Sequence, residues 1–205
     1  MKFLTIIIAV ITINYYGNTQ ELKKVTKKLA MDLVENYYVF KNDTKIKQGE
    51  YSLMRLDDTV RKGFYNNDEK SGIWKYYYLN NNTVEFIFDF DRKMILSDTL
   101  GKERPALYSE GREYFSYHVA MNIKYPLEAA KAGHYGRVLI SFTINSDGSA
   151  TDFELDLGCG DAALNNEAMR VIKNVAMENT WYPAINAKGE KISSTIIKPV
   201  IFMLQ

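Results

Sequence analysis

The hydrophobic pattern changes texture several times along the chain. Phe3 to Ile13 is an apolar run broken only by Thr5 and Thr12. From Gln20 to Asn36, Leu22, Val25, Leu29 and Leu33 recur at helical spacing and predict a short amphipathic helix, although the same residues also suit extended chain. From Tyr37 to about Leu96, short aromatic runs alternate with turn-formers at Lys41-Asn42-Asp43, Asn66-Asn67-Asp68 and Asn80-Asn81-Asn82. That alternation predicts successive β-hairpins in an antiparallel meander. Asp98 to Tyr117 reads as a connector, holding Gly101, Pro105 and Gly111 among charged residues. Helical spacing resumes near Glu113, through Phe115, Val119 and Ile123.

The remaining pattern is helix, hairpin, helix, strand. Tyr125-Pro126 leads into a small-residue helix over Leu127 to Ala132, which Gly133 would end. Val138, Ile140, Phe142 and Ile144 point one way along a strand, while Ser141 and Thr143 point the other. Asn145-Ser146-Asp147-Gly148 is a tight turn with glycine placed for positive φ. A second alternating strand sets Phe153, Leu155 and Leu157 against Asp152, Glu154 and Asp156. Gly158-Cys159-Gly160 breaks it, and Asp161 or Asn165 can cap a helix with the stripe Leu164, Ala168, Val171, Ile172 and Val175. Trp181-Tyr182-Pro183-Ala184 closes that helix. A turn at Lys188-Gly189-Glu190 leads to a last strand within Ile192 to Leu204, apolar on both faces.

Composition adds limits. Hydrophobic residues are 46% of the chain and aromatics 13%, enough to bury a core. A formal net charge of +1 gives no reason to expect nucleic acid or an acidic polymer as partner. The only cysteine is Cys159, so no internal disulfide forms and no lipid-bearing cysteine lies near the N-terminus. The apolar run after Lys2 fits a signal-peptide core and is too short to span a bilayer. Gly17 and Thr19 suit a cleavage site before Gln20. The alternatives are an uncleaved anchor extending through Tyr16, or a buried N-terminal strand or helix. The expected organisation is a signal peptide at 1–19, a β-hairpin domain at 20–100, a connector at 101–117 and a C-terminal domain at 118–205. The protein is expected in the periplasm, with inner-membrane anchoring as the alternative.

The meander carries a weak internal repeat. Gly49-Glu50-Tyr51 and Gly72-Ile73-Trp74 begin equivalent segments 23 residues apart, with Gly63-Phe64-Tyr65 between them. A glycine lets a neighbouring ring lie flat against the backbone, and the ring buries a large area. With Glu35-Asn36-Tyr37-Tyr38-Val39 and Lys47-Gln48-Gly49-Glu50-Tyr51, these segments resemble bacterial MORN-type repeats of exported Bacteroidetes proteins.

The C-terminal residues carry a second resemblance. In order they are Tyr125-Pro126, Gly136-Arg137-Val138, Asp147-Gly148, Glu167-Ala168-Met169-Arg170-Val171, Trp181-Tyr182-Pro183-Ala184, Lys188-Gly189 and Pro199-Val200-Ile201-Phe202. This set resembles the TonB C-terminal domain. The resemblance implies a three-stranded antiparallel sheet backed by two helices, and hence an α+β chain overall. It also implies a periplasmic domain that captures a short peptide from an outer-membrane transporter. The family's prototype energy transducer has Gln-Pro where this chain has Asn122 and Ile123, a departure that bears on transporter-box recognition.

An edge strand of such a sheet presents unpaired N–H and C=O groups that an extended peptide can pair with. The last strand is the candidate edge because it contains Pro199, which also interrupts pairing there. The alternative is an edge blunted against aggregation. Tyr125, Pro126, Ile196, Ile197, Lys198, Val200 and Phe202 are the expected partner-binding residues. Tyr125, Trp181 and Tyr182 either line a recognition groove or pack helices on the sheet, with packing favoured for Trp181. The expected partner is a cell-envelope protein, with an outer-membrane transporter peptide or a second copy of the chain as candidates.

Chemistry is not expected. His118 and His134 are the only histidines, and no metal or cofactor site is expected from them with Cys159. Cys159 between two glycines reads as a small turn residue rather than a nucleophile. Asp89, Asp91 and Asp98 lack the spacing of a glycine-bearing calcium loop and read as a solvated strand face. There is no glycine-rich phosphate loop and no small-molecule substrate is identified. An energy transducer is the alternative function. It needs a spanning helix and a stiff spacer, whereas the four prolines are unclustered.

Overall fold

The computed structural model describes residues 10–11, 21–30, 32–78, 83–98, 103–178 and 180–204. The chain divides into two compact units, Met1–Thr99 and Leu100–Gln205. Among the described residues, no helix is long and apolar enough to cross a membrane.

The first unit is an eight-stranded antiparallel sheet whose spatial order follows the chain. Its strands are β1 (Val10–Ile11), β2 (Leu22–Lys28), β3 (Leu33–Phe40), β4 (Lys47–Arg55), β5 (Asp58–Asn66), β6 (Glu69–Tyr77), β7 (Val84–Asp89) and β8 (Met94–Asp98). The meander is therefore present. The helix expected over Gln20 to Asn36 is not: that stretch forms β2 and β3, paired from Leu22↔Phe40 to Lys28↔Val34. The hydrophobic spacing of four was carried by too few residues. Val25, Thr26, Val34 and the Tyr37-Tyr38-Val39 run favour pleated chain, and the open side of β4 supplies ladder partners. Of the segment read as a signal peptide, only Val10 and Ile11 are described, where they pair with Lys23 and Leu22. The rest of it lies outside the described residues, as does the Asn80-Asn81-Asn82 turn.

The glycine–aromatic repeat is visible in space. Tyr51 and Trp74 are both buried, with ring centroids 5.1 Å apart. Gly63, on the strand between them, pairs with Tyr51 and lies under the Trp74 ring. A Cβ on Gly63 would sit 2.3 Å from Trp74 Cδ2, so no larger residue fits without moving the indole. The Trp74 Nε1–H donates to the Phe64 carbonyl at 3.1 Å, which fixes the ring. The hairpin between β5 and β6 turns at Asn67 and Asp68, with φ of 51° and 68°. Both values suit a primed turn, whose twist matches its strands.

Several buried polar groups in this unit bond one another. The Tyr51 hydroxyl donates to Glu35 Oε1 at 2.9 Å and accepts from Arg61 Nη2 at 3.1 Å. Burial pushes the Tyr51 phenol well above its ordinary range, so it stays a neutral donor. Asp89 accepts the backbone N–H groups of Asp91 and Arg92, both at 3.0 Å. Asp91 accepts from Gly72 N–H at 2.9 Å. These two carboxylates thus close a turn, and the solvated-face reading is corrected for the buried Asp89.

The second unit contains β9 (Leu107–Tyr108), α1 (Arg112–Asn122), α2 (Leu127–Lys131), β10 (Gly136–Ile144), β11 (Ala150–Leu157), α3 (Ala162–Met177), β12 (Trp181–Tyr182), β13 (Ala184–Ile185), β14 (Lys191–Ile192) and β15 (Ser194–Phe202). Its main sheet is antiparallel in the order β11-β10-β15. Within the stretch read as connector, β9 pairs with β12 through Trp181↔Tyr108 and Tyr182↔Leu107. The four inward residues of β10 and the α3 stripe are buried as their periodicities predict. Each large member of that core contributes about 1.5–3 kcal/mol of burial. Phe115 of α1, Phe142 of β10, Tyr108 and Trp181 meet at its centre. The cap left open in the sequence is Asp161, whose side chain accepts from Leu164 N–H at 2.8 Å. Asn165 instead accepts from Cys159 N–H at 3.0 Å and holds the Gly-Cys-Gly turn.

The second strand departs from its predicted alternation. Asp152 has φ of 50°, and the β10–β11 register shifts twice. Leu155 falls opposite the inward Ile140, but Leu157 falls opposite the outward Leu139. The three apolar residues therefore do not share a face, because bulges flip the alternation that sequence spacing assumes. The last strand, apolar on both faces as its sequence reads, is buried on one of them. Val200 and Phe202 are buried, while Ile197 and Ile201 are 58% and 59% exposed.

Candidate protein-binding site

β15 is an edge strand, paired with β10 from Gly136↔Phe202 to Ile144↔Ser194. Pro199 stands opposite Leu139. Proline has no N–H to give β10, so its pairing belongs at a position whose backbone groups turn to the open side. By the strand's period of two, Thr195, Ile197 and Ile201 then offer N–H and C=O groups to the same open side. Their side chains lie on the outer face of the sheet, beside Leu139 and Leu157. The edge thus combines ladder groups with an exposed apolar row, interrupted at one donor.

The expected partner-binding residues separate by position. Ile197 is on the outer face. Ile196 packs against the core, and Val200 and Phe202 belong to it, so these side chains fix the strand from within. Lys198 also points inward, its Nζ 5.1 Å from the Phe115 ring centroid. Tyr125 meets the Phe202 ring edge-on at 5.5 Å and its hydroxyl donates to the His134 carbonyl. Pro126 is the N-cap residue of α2. Trp181 is core, its Nε1–H donating to the Ala176 carbonyl at 3.0 Å. Tyr182 is half-buried, and that burial, with Glu110 nearby, pushes its phenol up to about 12. Thr195 and Ile201, which flank the proline on the open side, were not in the expected set. The signal for them was Pro199 itself, read with period two.

A clasp holds the segment before Tyr125. Arg170 donates to the Asn122 carbonyl at 2.9 Å, and Lys124 N–H donates to Glu167 Oε1 at 2.6 Å. Arg170 and Glu167 also bond each other from two guanidinium nitrogens, at 2.7 and 2.6 Å. Arg170 beside it holds the Glu167 carboxyl below the ordinary carboxylate range. Their i,i+3 spacing on α3 was legible; their grip on a segment over forty positions away was not. His134 Nδ1 lies 2.6 Å from Asp161 Oδ2, and this pairing, with the Leu164 N–H, lowers the Asp161 carboxyl. His118 bonds the Tyr108 hydroxyl through Nδ1 at 3.0 Å. Among the described residues, no group of three His, Cys, Asp or Glu could hold a metal ion.

The family model of the Gram-negative bacterial TonB protein C-terminal matches residues 121–204, from the end of α1 past β15. Residues 121–204 are a TonB C-terminal domain. This domain belongs to a family of protein-interaction modules of the cell envelope. Solved structures of the Helicobacter pylori TonB C-terminal domain are also similar. That of its residues 179–285 is 30% identical, with 44% of this chain and 78% of that one covered and a TM-score of 0.38. That of residues 194–285 is 28% identical, covering 44% and 89%, with a TM-score of 0.33. No curated protein matches the chain.

Proposed function

We propose that this chain is a non-catalytic interaction protein of the periplasm, exported by its N-terminal segment. Its TonB C-terminal domain takes an extended peptide of a cell-envelope or outer-membrane transport protein as an added strand on β15. The observation that carries this reading is the free β15 edge with Ile197 and Ile201 exposed beside its ladder groups. Main-chain bonds would give such a complex its affinity, and the outer-face row its side-chain selection. Tyr125, Ile196, Val200 and Phe202 serve by holding the edge in place. The first unit, a MORN-like meander, is carried alongside.

The test is site-specific photo-crosslinking in cells. A photoreactive residue at position 195, 197 or 201 is expected to trap an envelope protein. The same residue at Met177, exposed at the end of α3, is the control. Equal adducts from Met177, or none from β15, would sink the proposal. Adducts to an outer-membrane transporter would favour the energy-transducing form of the reading. Adducts to another copy of this chain would replace it with self-association.

A further inference from the structure

The first unit has a hollow of about 640 Å³ on the face of its sheet opposite the buried rings. It crosses from β2 to β6, a distance of about 19 Å at the usual strand spacing. Lys24, Lys62 and Lys75 line it, as do Tyr38, Phe64 and Ile73.

Three features distinguish it from an ordinary solvated face. First, Lys62 and Lys75 are directly opposed across β5 and β6. Like charges in that position destabilise a sheet, and these strands are internal, where lysines do not serve to guard an edge. Second, among the described residues no carboxylate pairs with Lys24, Lys62 or Lys75; Lys62 meets only the Tyr77 ring, at 5.7 Å. Glu50 is the one carboxylate on the wall, so the hollow is cationic within a chain of net charge +1. Third, Phe64 and Ile73, each next but one along the strand from a lysine of the pair, are 49% and 40% exposed. On the other face of the same strands Trp74 and Tyr76 are fully buried.

The geometry points to a binding site for an amphiphilic anion, a phosphate or carboxylate attached to an apolar or planar body. The acid sits between the Lys62 and Lys75 ammonium groups and cancels their repulsion. The body lies on Phe64 and Ile73, with Tyr38 and Lys24 at the far end. Such a ligand is either a free small molecule or the acidic headgroup of a lipid.

The full chain is titrated with 1-naphthyl phosphate by calorimetry, with inorganic phosphate and 1-naphthol as half-ligands. Saturable one-to-one binding is expected, at least tenfold weaker for either half-ligand. The Lys62→Gln/Lys75→Gln variant should lose at least tenfold in affinity and gain in melting temperature, since its repulsion is gone. Lys27→Gln/Lys28→Gln, on exposed positions of β2 outside the hollow, should bind as the unaltered chain does. If the double variant fails to fold, Lys75→Gln and Phe64→Ser are each expected to weaken binding. Sedimentation with phosphatidylglycerol vesicles, against phosphatidylcholine, separates the two sources. Vesicle binding that naphthyl phosphate displaces assigns a headgroup, and binding of naphthyl phosphate without vesicle binding assigns a free anion. Absence of saturable binding, or affinity unchanged in the lysine variants, overturns the site.

Discussion

A methyl group at Gly63 would have to share space with the Trp74 indole, and the ring is held on its other sides by Tyr51, Tyr65 and its own hydrogen bond. Gly63→Ala is therefore expected to cost about 1–3 kcal/mol, as overpacked cores do, and a urea midpoint would register it. Gly148 is constrained twice, by φ of 89° and by the Trp181 carbonyl oxygen 2.5 Å from where a Cβ would stand. Gly148→Ala should cost at least as much. Glu167 gives a pH-dependent case. Its folded pKa lies below the ordinary 4.5, so its bonds to Arg170 and Lys124 add stability above that value. That stability is lost as pH falls through the folded pKa. Glu167→Gln should thus be less stable at neutral pH and lose less on acidification below 4.5, as followed by thermal melts across pH.

Edges decide what happens at the level of elements. β15 exposes apolar side chains, yet Pro199 withholds one donor from the open side. Pro199→Val restores that donor, and the chain is expected to self-associate more readily in sedimentation velocity. An unchanged monomer fraction would show that the proline does not blunt the edge. The elements legible in the sequence were those with many agreeing residues. Val138 to Ile144 and Leu164 to Val175 had both period and boundaries, set by Gly148 and Asp161. Leu22 to Leu33 misled because four spaced leucines and valines cannot register that a neighbouring strand is waiting to be paired. Leu157 misled because the bulge between Leu155 and Leu157 leaves no mark in an alternating pattern. Of the candidate site, the strand and its proline were readable. The division of Val200 and Phe202 from Ile197 and Ile201 needed the helices on one face only.

At the scale of the molecule, each unit closes its own core. The aromatic centre of the second unit draws on Tyr108, Phe115, Phe142 and Trp181, all after Leu100. Residues 103–205 alone are expected to give a dispersed amide spectrum with upfield-shifted methyl signals from packing on those rings. A collapsed spectrum would show that the second unit depends on the first. In the first unit, the step from Tyr51 to Trp74 is one hairpin long and rests on a single glycine between them. Units that lean only on their neighbours obey a nearest-neighbour logic. The span of this sheet is therefore a matter of copy number: tandem duplication or loss of 23 residues lengthens or shortens it without redesigning a shared interior, and relatives should differ in multiples of that step.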